Sequence, residues 1–155
     1  EDTRLVAEHI YDFNEFILIL LDEGSLRNPD ELRPVPLTLG YHIPCQYRAH
    51  RLGQPGLEVL NLIPGLRILE SHVPCCGIAG TYGYKKEKYD IAMQVGQPLF
   101  DFVRETGAPL VVCDSETCRW QITHATGIPA VHPVELLAVA YGFKPKGALA
   151  RVIVS

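Results

Sequence analysis

Apolar residues crowd two turns from Glu15 to Asp22, behind an Asn14 suited to cap a helix and ahead of a Glu23-Gly24 stop, so the pattern predicts a first helix there. Ser25 to Pro36, with three prolines, reads as a surface crossing. A β-like run, Leu37 to Ile43, then ends at Pro44-Cys45, and Pro55 opens a helix that reaches Ile63 before Pro64-Gly65. The unit recurs as a strand over Leu66 to Leu69, the Cys75-Cys76-Gly77 segment, and a helical stretch from Lys86 to Arg104 that Gly96 and Pro98 are expected to split. Pro109 to Cys113 predicts a short buried strand, followed by a helix over Glu116 to Ala125, capped by Ser115 and stopped by Gly127. A last strand, Ile128 to Val131, leads to a helix over Val134 to Tyr141 that Gly142 ends.

Short strands alternating with helices imply right-handed crossovers and a parallel sheet covered on both faces. The expected fold class is therefore α/β: a Rossmann-like three-layer sandwich with a short, mainly parallel sheet of about four strands and an extra N-terminal helix. No Gly-x-Gly-x-x-Gly occurs at a strand-to-helix turn, so no dinucleotide site is read.

The 155 residues, 47% hydrophobic and 21% charged, suffice for one core, and a single domain over residues 1–155 is expected. A net charge of −4 lacks the basic footprint of a nucleic-acid binder. The most apolar run, Phe16 to Leu21, is far short of the roughly 20 residues of a membrane span. No secretory signal is read, so a cytoplasmic setting is expected. The chain opens on Glu1-Asp2-Thr3 without an initiator methionine, which points to a piece of something longer.

Five cysteines without a secretion signal favour metal or redox chemistry over a disulfide framework. Each falls at or just beyond the C-terminal end of a predicted strand: Cys45 after the first, Cys75 and Cys76 after the second, Cys113 and Cys118 around the third. That edge of a parallel sheet is where ligands bind. Cys118 falls in the first turn of its helix, where free N–H groups and the helix dipole favour thiolate, the metal-binding form. The adjacent pair Cys75-Cys76 is poorly suited to core packing but can supply two ligands from one loop, which Gly77 and Gly80 let bend. Cys113, ending an apolar strand, suits a small buried residue as well as a ligand. Four cysteines satisfy zinc, and cysteine thiolates equally hold iron–sulfur clusters; residue type leaves both open.

His42, His72 and His132 stand near the expected edge as candidates for ligands or hydrogen-bond donors around a metal, although a strand-end histidine more often serves structure. Arg48, His50 and Arg51 could balance cluster charge, with a solvated loop the blander account. Lys85, Lys86 and Lys88 read as a wet helix start and Trp120 as packed core. A thiol–disulfide oxidoreductase using Cys75 and Cys76 is disfavoured, since adjacent cysteines close a strained ring.

Tyr41-His42-Ile43-Pro44-Cys45, Cys75-Cys76-Gly77-Ile78-Ala79-Gly80-Thr81-Tyr82 and Cys113-Asp114-Ser115-Glu116-Thr117-Cys118 together resemble the cysteine-rich CCG-type domain. That family includes the B subunits of heterodisulfide reductases, the iron–sulfur subunits of glycolate oxidases and the C subunits of anaerobic glycerol-3-phosphate dehydrogenases. Twenty-nine residues separate Cys45 from Cys75 and 36 separate Cys76 from Cys113, a specific long-range spacing. Gly80-Thr81-Tyr82-Gly83-Tyr84 and Asp114-Ser115-Glu116-Thr117-Cys118-Arg119-Trp120 most resemble the glycerol-3-phosphate dehydrogenase C subunits.

The resemblance implies an electron-transfer domain holding an iron–sulfur cluster, expected as the 4Fe–4S type, on Cys45, Cys75, Cys76, Cys113 and Cys118. His42, His132 and Gly77 would lie just outside those ligands. It also implies a flavin-bearing partner that oxidises sn-glycerol 3-phosphate, a membrane-anchoring subunit and a quinone acceptor, with the complex at the inner face of the cell membrane. One departure is plain: the family pattern usually ends in Cys-x-x-Cys, and aligning its last cysteine on Cys118 places Ser115 where the other belongs. A relay of electrons is expected rather than the disulfide-cleaving chemistry of heterodisulfide reductase, with a zinc-stabilised docking domain as the alternative.

Overall fold

A computed structural model describes residues 2–153 of the chain. Its helices are α1 (Asp2–Glu8), α2 (Phe13–Asp22), α3 (Cys45–His50), α4 (Pro55–Asn61), α5 (Tyr89–Glu105), α6 (Glu116–Thr126), α7 (Pro133–Ala140) and α8 (Gly147–Ile153). The strands are β1 (Leu37–Tyr41), β2 (Leu66–Glu70), β3 (Val111–Val112) and β4 (Ala130–Val131). All pair in parallel, as the alternating pattern predicts, and their order is β2-β1-β3-β4. β1 runs beside β2 from Leu37 opposite Leu66 to Tyr41 opposite Glu70, and meets β3 with Gly40 opposite Val111.

Because strand side chains alternate between faces, Val112 and Val111 point into different cores. Leu39, Tyr41 and Val112 pack under α2, α4, α7 and α8, while Val111 and Cys113 pack under α5 and α6. The result is three layers. The chain passes from β1 to β2 on one side and returns to β3 on the other, so the loops after β1 and β3 part company at the switch point where such sheets bind ligands.

Several expectations need correction. α2 is capped by Asp12, not Asn14: the Asp12 carboxylate accepts from the Asn14 and Glu15 amides, and Glu15 reaches back to the Asp12 amide. Asn14 is buried inside the first turn. Cys45 does not sit in a plain loop but opens α3, a helix too short to show a periodic pattern. β1, β3 and β4 stop short of the runs that predict them.

α5 also departs from expectation. It begins at Tyr89, after 3-10 turns at Tyr82–Tyr84 and Lys86–Lys88, and continues unbroken through Gly96 and Pro98. Ala92, Gly96, Leu99 and Val103 form one buried stripe, and burying that stripe outweighs the hydrogen bond lost at the exposed Pro98. Gly96 is there for closeness rather than for a break: a Cβ would overlap the Cys76 carbonyl oxygen and the Phe100 ring.

Gly96→Ala therefore inverts the usual helix rule. Alanine normally stabilises a helix interior by about 1 kcal/mol over glycine. Here overpacking against the Cys76 backbone is expected to destabilise by about 1–3 kcal/mol, read as a lower midpoint in urea unfolding with unchanged slope.

Candidate metal centre

Three loops deliver the cysteines to one end of the sheet. After β1 the chain runs through buried His42 to Pro44, whose fixed φ of −65° starts α3 at Cys45. After β2 it turns sharply, with positive φ at His72, Gly77, Ala79 and Gly80. Gly77 adopts φ 89°, and a Cβ would overlap the Ala92 carbonyl oxygen and stand 2.8 Å from the Gly96 nitrogen. Glycine is required there twice over, by its torsion and by the approach of α5. After β3, Cys113 ends the strand and Cys118 occupies the third position of α6.

Cys76, Cys118 and His42 bring their ligand atoms within 4.8 Å of one another, and all three are buried. The Cys76 and Cys118 sulfurs are 3.1 Å apart. Cys113, fully buried, shares its thiol hydrogen with Cys118. His42 Nδ1 is held by Ser71 Oγ at 3.1 Å, and buried Nε2 makes no well-formed hydrogen bond among the described residues, its weak pull on the Cys118 sulfur apart. A buried imidazole nitrogen left open beside thiols fits a soft or borderline metal, since imidazole and thiolate both suit one.

The sulfurs are not equivalent. Hydrogen bonds from Cys113 and then Cys76, with smaller help from His42 and Ser115, pull the Cys118 thiol far below the ordinary range against the cost of burial. Cys76 is pushed up by its bond to Cys118 and by burial, and Cys113 by burial and then by the same partner. One thiolate, at Cys118, is thus shared by two thiols. Backbone N–H groups add to this: Gly77 donates to Cys75 Sγ at 3.3 Å, and those of Ile78 and Ser115 favour negative charge on Cys76 and Cys113. Exposed Cys45 lies beside Cys75, and burial followed by that neighbour's charge raises its thiol.

The middle of the chain, residues 39–123, matches the family of cysteine-rich domains of the CCG type. The chain belongs to the cysteine-rich domain family. It is 42% identical over 139 residues to the C subunit of the anaerobic glycerol-3-phosphate dehydrogenase of Escherichia coli, a match covering 90% of this chain and 34% of that protein. It is also 26% identical over 145 residues to the B subunit of the fumarate reductase (CoM/CoB) of Methanothermobacter marburgensis, covering 88% of this chain and 28% of that one. The chain thus spans about a third of the length of the curated relatives it matches.

Behind the sulfurs, this cysteine-rich domain carries a polar network that sequence reasoning missed. Asp114 Oδ1 accepts from Asn14 Nδ2 at 2.7 Å and Oδ2 from the Tyr41 hydroxyl at 2.8 Å, while the Tyr47 hydroxyl donates to Asp12 Oδ1 at 2.9 Å. Gly56 leaves room for it, because a Cβ there would overlap the Asp114 carboxylate. Burial raises the Asp114 carboxyl and also both phenols, which stay protonated as donors. Arg119 Nη1 closes the loop from the other side, donating to the Cys113 and Asp114 carbonyls at 2.9 and 3.0 Å.

Other candidates separate cleanly. Ser115 stands at the helix N-cap without capping; its hydroxyl lies 3.2 Å from Thr117 Oγ1 and assists Cys118. His132 caps α7, its Nδ1 accepting from the Val134 amide at 3.2 Å, and lies outside the group around Cys118. His72, His50 and Arg51 are exposed, and Arg48 Nη2 touches the Val73 carbonyl at 3.5 Å. Lys85 and Lys86 are exposed, while Lys88 lies 5.6 Å over the Tyr82 ring. Trp120 is not core: it is 54% exposed and leans on Tyr84, because it lies on the side of α6 turned from the sheet.

His132 supplies a pH test of the scaffold. Burial, then Arg119, lowers its imidazole to about 4 from 6.5, with Asp12 opposing, the Phe13 ring edge-on, and Glu135 bonded to its backbone N–H. The depressed value means stability is full above pH 6.5 and falls as pH drops from 6.5 toward 4, where the unfolded chain takes a proton first. A loss of about 1–2 kcal/mol is expected across that window after allowance for screening. His132→Asn keeps a capping side chain, and urea midpoints measured against pH should then lose this step.

Proposed function

We propose that this cysteine-rich domain holds an iron–sulfur cluster and carries electrons within an anaerobic glycerol-3-phosphate dehydrogenase, as part of its C subunit. The observation that carries the reading is the gathering of Cys76, Cys113 and Cys118 around one thiolate beside the open nitrogen of His42, in a chain 42% identical to such a protein. An iron–sulfur cluster supplies one-electron exchange at a potential tuned by hydrogen bonds to sulfur and by burial.

This chain's residues fit the task. Cys118 offers a thiolate at neutral pH, and Cys76 and Cys113 release protons as they ligate. Cys45 and Cys75 complete the set from the solvent side, consistent with a 4Fe–4S type. The amides of Gly77, Ile78 and Ser115 stabilise charge on sulfur, and His42, fixed by Ser71, serves as ligand or donor. His132 is assigned to structure. Since Ser115 stands in place of a cysteine, relay is favoured over disulfide chemistry.

In this reading a flavin-bearing partner oxidises sn-glycerol 3-phosphate and passes electrons inward, a membrane-anchoring partner holds the complex at the cytoplasmic face, and a quinone receives them. Among the described residues no helix is long and apolar enough to cross a membrane, which fits a peripheral part. One observation favours a second reading: an imidazole among the three innermost donors suits zinc, which would make the centre structural.

Anaerobic purification with iron, sulfide and zinc assays, beside a reduced-state EPR spectrum, separates the two. Iron with matching sulfide, and a signal abolished in Cys76→Ser or Cys118→Ser, is the expected result. Stoichiometric zinc without visible absorption would overturn the cluster and leave a structural centre.

A further inference from the structure

The two outer cysteines border a basic groove that the electron-carrying reading does not use. It encloses about 400 Å³ between α3 and the loop after β2, lined by Ile43 and Tyr47 and by Arg48, Arg51 and His72, with no Asp or Glu along it. Both arginines and the histidine are exposed. Arg48 follows Cys45 by three residues and His72 precedes Cys75 by three. Arg48 Nη2, reaching the Val73 carbonyl at 3.5 Å, spans from one of these elements to the other.

Charge is segregated around this groove. The chain has a net charge of −4, yet no Asp or Glu occurs between Glu31 and Glu58 or between Glu70 and Glu87, the two stretches that build it. Among the described residues neither Arg48 nor Arg51 has a carboxylate partner, and the long contact to Val73 leaves most of the Arg48 N–H donors to solvent. The backbone points the same way. α3 ends on Arg51 in the left-handed conformation, φ 57°, where glycine would carry no penalty, and His72 adopts φ 49°. Residues with side chains hold such torsions at a cost, and they gather where ligands are held. Here two of them line one groove.

We infer that this groove receives an acidic segment of the protein that exchanges electrons with the centre, with Asp or Glu carboxylates of that segment meeting Arg48 and Arg51. That the partner is a redox protein rests on the electron-carrying reading above; that it is acidic rests on the groove alone. A single small anion is a poorer match, because isolated ion pairs at exposed arginines are weak, whereas a chain segment engages several charges together and is steered by their summed field. Exposed Cys45 stands on the same helix as Arg48, so a partner seated here lies against the outer edge of the centre.

The probe is a short peptide of alternating Glu and Ala carrying a neutral fluorophore, titrated with the metal-free chain at low salt and read by anisotropy, beside the same peptide with Gln in place of Glu. Saturable binding of the acidic peptide alone, weakening as salt rises, is the expected result. Arg48→Gln and Arg51→Gln should each weaken it about threefold, and together about tenfold. Lys144→Gln with Lys146→Gln removes as much charge from a separate cavity and should leave it unchanged. Arg51→Gly separates recognition from folding: glycine suits the torsion at that position, so the urea midpoint holds or rises while affinity for the peptide falls.

Absence of saturable binding, or equal binding of the Gln peptide, overturns the inference. Equal losses in the arginine and lysine variants also overturn it, since net charge and not the groove would then be read. Binding indifferent to both arginines overturns it and leaves them as charge balance for the centre. Inorganic phosphate that displaces the peptide at sub-millimolar concentration, through the same arginines, would make the groove a small-ion site and overturn the docking of a segment. Because the titration needs no metal, a failed iron assay and a failed titration are separate results.

Discussion

The near contact of two backbones, at Gly77 on the CCG loop and Gly96 on α5, constrains the rest of the metal centre. With side chains at either position the loop would be pushed off the helix, because a Cβ on Gly77 overlaps the Ala92 carbonyl and one on Gly96 overlaps that of Cys76. Only in this seat does Cys76 reach Cys118 at 3.1 Å. The same helix buries Leu99, Phe100 and Val103 against the sheet, so the loop is registered to the core and not merely to its neighbours. A precise sulfur position is thus inherited from close packing, the least compressible feature a small domain has.

The second support is electrostatic and comes from the opposite core. Asp114 follows Cys113 directly and is gripped by Asn14 from α2 and Tyr41 from β1, with Arg119 holding the intervening carbonyls. The turn between β3 and α6 therefore has little freedom. A partly buried carboxylate is costly unless satisfied, and here donors satisfy both its oxygens. The consequence for the site is that Cys113 and Cys118, on either side of this turn, hold a fixed separation without a metal to impose it.

The parallel four-stranded sheet, the placing of the cysteines at its strand ends and the family were legible because they depend on alternation, strand ends and long-range spacing; the strand order was not. What escaped depends on tertiary proximity. Asn14 has the residue type of a cap, but Asp12 two positions earlier has the carboxylate and a Glu15 partner, and Asn14 is instead spent on Asp114 one hundred residues away. Gly96 and Pro98 carry a local signal for a break that a buried stripe overrides. Trp120 has the composition of core, yet the helix turns it outward. Ser71, which orients His42, gives no signal short of the fold.

Burial divides the sulfurs into two tiers, and the division bears on how the centre works. Cys76, Cys113 and Cys118 are 1, 0 and 4% exposed and share one proton-poor sulfur, whereas Cys45 is exposed and Cys75 half-buried. The inner tier is held by the core whether or not metal is bound. The outer tier stands on the short helix α3 and on the outer end of the CCG loop, whose next residues, Cys76 and Gly77, are buried against α5. The raised thiol of Cys45 keeps its proton until something positive arrives. A centre built this way presents a preformed anionic floor at Cys118, beneath a Cys45 thiol that an incoming cation would have to deprotonate.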